Sequence, residues 1–457
     1  MIRAGEISPV EIATTVLERL DRLNPTLNAF LTPTHEIAME NARASEERAR
    51  RGELLGPLDG IPISIKDLEP MAGVRCTLGS KWNENNIATE DGVATARIRA
   101  AGGVMLGKTN TPHVGYKDMC DNFLGDPCKN PWNLDRTSGA SSGGAGAAVA
   151  AGLGPVAHGS DGAGSVRIPA ALCGIFGLKP SFGRVPNVTV DLWGGRSHVG
   201  PMTRTVRDAA MLLNIMSGPS DRDPLSIDGP VPDFTSLVEG DLKGLRVVWS
   251  ADFGYAPVDP EVRALTEAAA KRFVEFGATV DEANPVWDDP YEFHRILYHV
   301  GIGARLAERA KEHPEWIEAT MRVMIEDGAR YSAFDYQQAI LKRTAFYNQA
   351  RAWFENVDLL LTPQMPVGAW SYQPGPDEGP ETIGGKRPRS MFDRLHFTYP
   401  FNLTNQPAAT VPCGFTSDGL PVGLQIVGKW HDDATVLRAA ACFEAAQPWA
   451  QHRPPLA

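Results

Sequence analysis

Apolar and polar positions along this chain switch repeatedly between a helical and a strand period. In SPVEIATTVLERLDRLNP, which begins at Ser8, apolar residues recur at helical spacing. Ser8 as N-cap, Pro9 at the first helical position and Glu11 as partner of a capping box predict where this helix starts. A second, polar helix is predicted over 35–52. GIPISIKDLEP then alternates, with Ile61, Ile63 and Ile65 on one face and Pro62, Ser64 and Lys66 on the other. This is a strand that ends in a charge, and its alternation turns Asp67 away from the Lys66 face.

The same reading continues downstream. ATARIRAAGG followed by VMLGK predicts a helix leading into a buried strand. SSGGAGAAVAAGLGP is Gly/Ala-rich, and its small side chains predict a helix packed closely against other backbone. Thr205 with Asp208 opens another helix. A Pro/Asp-rich connector over 218–243 leads to the strand LRVVWS, and then 288–327 and 333–356 are helical by period. VDLLLTP and LPVGLQIVG read as strands, ATVLRAAACFEAA as a closing helix, and 364–390 as a long loop of the kind that borders a site. Strands alternating with helices throughout predict an α/β fold. The connector is too short, and its flanks too alike, to require a second domain.

Composition narrows the function classes. Hydrophobic content of 43% and charged content of 22% are those of an ordinary globular protein of 457 residues. A formal charge of −11 argues against nucleic acid or an anionic membrane as main partner. The six cysteines, at 76, 120, 128, 173, 413 and 442, form no CxxC pair, which fits reduced thiols in a cytoplasmic enzyme. No apolar run approaches the roughly 18 residues of a membrane span, and the start lacks the apolar stretch of a signal peptide.

Three patterns compete for chemistry. Gly102 to Thr109 satisfies GxxxxGK[ST], but its middle, Val-Met-Leu, is strand-like, so a strand and turn is the expectation and not a phosphate cradle. Gly139 to Gly143 satisfies GxSxG, but the preceding NPWNLDRTS reads as a polar loop where a nucleophile elbow needs an apolar strand. The third is a set: Lys66 at a strand end, Ser141 and Ser142 among glycines, and Ser165 between Asp161 and Arg167. A serine can be activated by a lysine, provided burial strips the ammonium of water and lowers its pKa. Most strand-end lysines are solvated and most glycine-flanked serines are turns, so only the set is informative.

That set resembles the amidase signature family. PLDGIPISIKD is similar to its lysine strand, and RTSGASSGGAGAAVAAGLGPVAHGSDGAGSVRIPAALCGIFGLKPSFGRVP to its Gly/Ser-rich signature. AAGGVMLGKTNTP, GPMTRTVRDAA, DLLLTP and FNLTNQPAATVPCGFTSDGLPVGLQIVG extend the likeness over the chain, more weakly in 220–350 and 364–395. The resemblance implies one large α/β domain over 1–457, with a central mixed, twisted sheet covered by helices on both faces. Its signature core would cover 55–217, a more variable helical part 255–357, and a C-terminal sheet and helix 397–450.

By the same resemblance Ser165 is the nucleophile, Ser141 the bridging serine on a cis peptide and Lys66 the base. Backbone N–H groups of Gly162, Ala163, Gly164 and Ser165 would form the oxyanion hole, with Ser142, Asp161 and Arg167 holding the serine loop in shape. The reaction implied is amide hydrolysis through an acyl-enzyme, with no metal and no cofactor. Two positions depart from the family pattern. Alanine replaces glycine at Ala140 and at Ala163, and alanine would be strained at Ala163 if that position needs positive φ. Relatives also carry more N-terminal helix than MIRAGEISP supplies, so the start reads as trimmed.

For the substrate, HVGYKDMCDNFLG lies where such enzymes line the acyl pocket. Tyr116, Met119 and Cys120 predict an apolar, adaptable wall, and Trp193, Met391 and Phe392 a closing mouth. Aryl or alkyl amides, anilides or carbamates are therefore expected, as in aryl acylamidases and urethanases of this family. The partner is a small molecule rather than nucleic acid or membrane, and the resemblance is compatible with a homodimer. Two other readings stand beside it: the glutaminase component of a tRNA-dependent amidotransferase, and a non-catalytic binding protein on the same fold.

Overall fold

The N-terminal helix Pro9–Leu27 begins as its sequence dictates, because the Ser8 side chain accepts from Val10 N and the Glu11 side chain closes the capping box. The structure is a computed structural model and describes residues 1–187, 194–372 and 379–456. Its organising element is an eleven-stranded mixed sheet. From one edge the strands run Phe30–Pro33, Val104–Thr109, Pro62–Lys66, Val156–Asp161, His198–Thr203 and Phe176–Lys179. The order continues through Ala408–Phe415, Pro421–Gly428, Leu359–Pro363 and Arg246–Trp249 to Thr279–Glu282 at the far edge. Pro62–Lys66 is parallel to both its neighbours, whereas Val156–Asp161 and His198–Thr203 are antiparallel.

Helices cover both faces, which is why the central strands lack a solvent-facing polar side. Leu359 and Leu361 pack into one apolar cluster, and Leu360 packs into the cluster on the other face. Burying each such leucine contributes about 2 kcal/mol. The first cluster takes residues from helices Val206–Met216, Pro260–Lys271 and Asp433–Ala446, and the second from Tyr291–Glu312, Ala319–Gly328 and Ala333–Phe354. The helical stretch expected over 288–327 is broken at Pro314, which starts a short 3-10 turn.

Gly143–Ala150 is the Gly/Ala helix, and every one of its residues is buried. A Cβ on Gly144 would stand 2.3 Å from Asn110 N and 2.4 Å from Ala29 O, so the close approach requires glycine there. The segment before it differs from its sequence reading. Asn133–Thr137 is not a loop but a short strand paired with Lys129–Asn130 in a separate hairpin. It lies outside the main sheet, so the GxSxG match is no strand-borne elbow. The GxxxxGK[ST] match is likewise the strand Val104–Thr109, with the Lys108 side chain turned inward and bonded to Asp67. Among the described residues, no helix is long and apolar enough to cross a membrane.

Candidate active site

Three features of the fold converge at one end of the central strands. Lys66 is the last residue of Pro62–Lys66, Ser141 and Ser142 precede the helix Gly143–Ala150, and Ser165 lies in the turn joining Val156–Asp161 to the helix Arg167–Cys173. The Ala140–Ser141 peptide bond is cis. Lys66 Nζ sits 2.7 Å from Ser141 Oγ, 2.8 Å from Ser142 Oγ and 3.1 Å from the Ser160 carbonyl oxygen. Ser142 Oγ in turn donates to the same carbonyl at 3.1 Å, and Ser142 N donates to the Ser165 carbonyl at 3.1 Å.

The lysine is wholly buried, and among the described residues no carboxylate lies within ion-pair distance of it. Burial is therefore the largest influence on it and lowers its pKa to about 7, against a smaller upward pull from Asp161 and Cys120. At neutral pH a substantial fraction of Lys66 is the free amine.

Asp161 and Arg167 are also fully buried and bind each other, with Arg167 Nε 2.9 Å from Asp161 Oδ2 and Nη2 3.0 Å from Oδ1. Burial alone would raise the Asp161 carboxyl. Arg167, Lys179 and Asn402 outweigh it and hold the group well below the usual carboxylate range. Asp161 also accepts from Gly164 N at 2.7 Å and Val166 N at 3.2 Å, which shapes the turn carrying Ser165. Arg167 reaches further, to Gln425 Oε1 at 2.8 Å, Asn402 Oδ1 at 2.6 Å and the Thr398 carbonyl at 3.1 Å. Thr398, Asn402 and Gln425 are residues that sequence reasoning missed. FNLTNQPAATVP and its flanks carry the resemblance, but nothing local in them marks side chains that brace a loop more than 200 positions away.

Gly164 thus commits its N–H to Asp161 and is not free to bind a substrate oxygen, unlike the sequence expectation. The N–H groups of Gly162, Ala163 and Ser165 have no acceptor among the described residues. Positive φ falls at Gly164 (+124°) and not at Ala163, so the strain foreseen for this alanine does not arise. Ser165 Oγ has no hydrogen-bond partner among the described residues and lines a cavity of about 40 Å³ together with Ser141, Gly162 and Ala163.

The chain as a whole is similar to known proteins. A family profile described as Amidase matches residues 11–437. The chain belongs to the amidase family. It is 42% identical, over 99% of its length and 95% of the relative's, to a protein of Rhodococcus erythropolis named acylamidase. It is also 37% identical, over all of its length and 96% of the relative's, to a component chain of the glutamyl-tRNA(Gln) amidotransferase of Chloroflexus aggregans. Among solved structures, a bacterial aryl acylamidase of the amidase signature family superposes with a TM-score of 0.91 at 33% identity, covering 98% of this chain and 95% of that one. A 6-aminohexanoate cyclic dimer hydrolase gives 0.89 at 31% identity, covering 99% of this chain and 96% of that one. The α/β fold with its mixed sheet is that of these enzymes, and the protein is a hydrolase of carbon–nitrogen bonds.

The cavity wall of this amidase carries apolar side chains, but only some of those expected. Tyr116 and Met391 line it with Tyr298, Leu395 and Ile168, whereas Met119, Cys120 and Phe392 are buried outside the lining set. Trp193 lies outside the described residues. Lys117 and Asp118 also line the cavity, and Asp118 binds Arg394 Nε at 2.6 Å and Nη2 at 2.8 Å. Lys117 and Asp118 therefore stand in the wall beside Tyr116, with Arg394 behind Asp118, where the sequence expectation had Met119 and Cys120.

Proposed function

We propose that this amidase cleaves small aryl or alkyl amides through a serine acyl-enzyme, with Ser165 as nucleophile, Ser141 as proton bridge and Lys66 as base. The observation that carries the reading is the 2.7 Å contact between Ser141 Oγ and a buried lysine whose pKa is lowered to about 7. As a free amine, Lys66 directs two N–H groups to Ser142 Oγ and the Ser160 carbonyl. Its lone pair is left for the Ser141 hydroxyl.

Ser165 Oγ attacks the amide carbonyl carbon and gives its proton to Ser141 Oγ, whose own proton passes to Lys66. The N–H groups of Gly162, Ala163 and Ser165 are the free donors for the oxyanion, and such donors are each worth about 3–4 kcal/mol by deletion. The proton returns through Ser141 to the departing nitrogen as the C–N bond breaks. Water repeats the cycle on the acyl-serine ester and releases the acid. Asp161 and Arg167 act by positioning the turn. Carbamates present the same carbonyl and nitrogen and belong to the expected range, and six free cysteines support a reducing, cytoplasmic setting.

The amidotransferase likeness favours one second reading, glutamine hydrolysis in complex with another protein. One experiment decides between them. The isolated protein is assayed on an anilide, an aliphatic amide, a carbamate and glutamine, and Ser165 is mapped after treatment with a serine-directed fluorophosphonate. Labelling at Ser165 with anilide turnover supports the proposal, ammonia release from glutamine alone supports the rival, and no labelling removes the acyl-enzyme.

A further inference from the structure

The helix Ala333–Phe354 is fastened to the molecule by one side. Ala339, Phe346, Ala350 and Phe354 are buried there, and Arg343 donates to the carbonyl oxygens of Gly194, Gly195 and Leu403. The other side carries Phe334, Gln337, Gln338 and Leu341, all exposed. Phe334 is 71% exposed, more than any other phenylalanine among the described residues, and Leu341 is 53% exposed. Seven positions separate the two, so they share one helix face, about 10 Å apart along the axis. Apolar side chains grouped on an exposed, rigid face mark a contact surface.

The charges beside this pair indicate what covers it. Asp335 and Lys342 are exposed, and each follows one of the two apolar residues by one position, so they run along one edge of the same face. Asp335 gives Oδ2 to the Ser332 cap, and Lys342 makes no ion pair among the described residues. Turned end over end about Gln338, this pattern matches itself to within one residue. Phe334 then falls on Leu341 of a second copy, Asp335 falls beside its Lys342, and the neutral amides of Gln337 and Gln338 meet at the centre. The same contacts recur on the other side of the axis. A two-fold contact requires such a self-match, and a partner of unrelated sequence requires none of it. Two chains that each carry a charge of −11 repel, and an uncharged crest edged by opposite charges is a face on which they can meet.

We propose that this face joins two copies of the chain through an antiparallel pair of Ala333–Phe354 helices, with the two-fold axis at Gln338. The charges fix the direction, since a parallel pair would set Asp335 against Asp335 and Lys342 against Lys342. One helix face is small beside the roughly 1,200–2,000 Å² buried in a stable interface. The dimer is therefore a weak one that forms and dissociates in the micromolar range.

Sedimentation velocity on the full chain over a dilution series tests this, with Leu341→Ser and Lys342→Glu beside the wild type. Both changes lie on the surface, and thermal unfolding verifies that the fold is kept. The wild type is expected to dimerise as its concentration rises, and Leu341→Ser to weaken the dimer tenfold or more. Lys342→Glu is expected to abolish it at low salt and to recover part of it at high salt, where the repulsion from Asp335 is screened. Cross-linking reads the register. Gln338→Cys sets two thiols at the axis and is expected to give a covalent dimer under copper phenanthroline, whereas Ala345→Cys, about 20 Å from its own mate, is not. A chain that stays monomeric at every concentration and gives no cross-link overturns the proposal. So does a dimer that Leu341→Ser leaves intact, or one cross-linked through Ala345→Cys and not through Gln338→Cys. A monomer that floats with phosphatidylcholine vesicles, and ceases to do so as Leu341→Ser, gives the face to a lipid surface and overturns it too.

Discussion

Lys66 and Lys108 leave neighbouring parallel strands for opposite surroundings. Lys108 Nζ lies 3.1 Å from Asp67 Oδ1, whereas Lys66 Nζ ends 2.7 Å from Ser141 Oγ with no carboxylate in ion-pair reach among the described residues. The two side chains are equally buried, so the counter-charge and not the depth separates them. A buried ammonium without a carboxylate is costly, and the cost is relieved by losing the proton.

The first prediction is a pH profile. Because the base must be neutral, kcat/KM on an anilide should rise with pH through a value near 7 and level off above about 8. Lys66→Ala should fall by on the order of 1,000-fold or more and lose the inflection. A steady-state profile from pH 5 to 9.5 checks both, and an unchanged inflection in the variant would remove the lysine from the mechanism.

The same lysine should weigh on stability. Its folded pKa of about 7 lies below the unfolded value of 10.5, so between these values the unfolded chain holds the extra proton and stability rises with pH. The penalty is fully present below pH 7, where it amounts to about 5 kcal/mol. Lys66→Met fills similar space without a charge, although it forfeits hydrogen bonds. It should therefore stabilise the fold by about 1–3 kcal/mol at pH 7, an advantage that shrinks toward pH 10. Urea midpoints of the two proteins at pH 7 and 10 measure this, and a variant less stable at both would contradict it.

How much of this site is legible in the sequence depends on how local its causes are. The Ser8–Glu11 box fixes a helix start within four residues, and the Ile63/Ile65 alternation puts Lys66 on the face opposite the apolar side chains. The strands Val156–Asp161 and His198–Thr203 escape a sequence reading, since VAHGSD has neither an apolar run nor clean alternation. Pairing along six residues with each other makes them strands. The substrate wall escapes it because 113–115 is an irregular turn, with Val114 at φ 47°, so no period tells which side chains face inward. Asp118 meets Arg394 across 276 positions, which no local pattern encodes.

The Asp161–Arg167 pair yields the third prediction. Removing one partner of a buried ion pair strands the other charge, at about 3–5 kcal/mol. Arg167→Met should cost this much at pH 7, and activity should fall with it because the Ser165 turn loses its brace. Asp161 is held below its ordinary value in the wild type, so its contribution is present above about pH 4 and is lost as pH falls below that. In the variant the unpaired carboxyl gains a proton on acidification. The stability gap between the two proteins should thus narrow from pH 6 to 3, as read by denaturant midpoints. A gap that widens would mean the carboxylate is stabilised by the turn's N–H groups and not by the arginine.

The last prediction concerns the alanine in the GAGS turn. Ala163 is outside the positive-φ region, and its carbonyl accepts from Thr398 Oγ1 at 2.5 Å, so its Cβ imposes no strain that glycine would relieve. Ala163→Gly should leave kcat/KM within about threefold and cost less than about 1 kcal/mol, the entropy of a freer unfolded chain. Gly164→Ala is the contrasting change. At φ +124° an alanine is disfavoured, and its Cβ would stand 2.6 Å from Thr398 Cβ and 2.9 Å from Ile168 Cδ1. Relief requires the turn to shift, which moves both the Asp161 contact of Gly164 N and the neighbouring Ser165. Loss of activity by 100-fold or more (about 3 kcal/mol) is expected for Gly164→Ala, with kcat affected more than KM. Comparable losses in the two variants would show that the turn's geometry is set at position 163 after all.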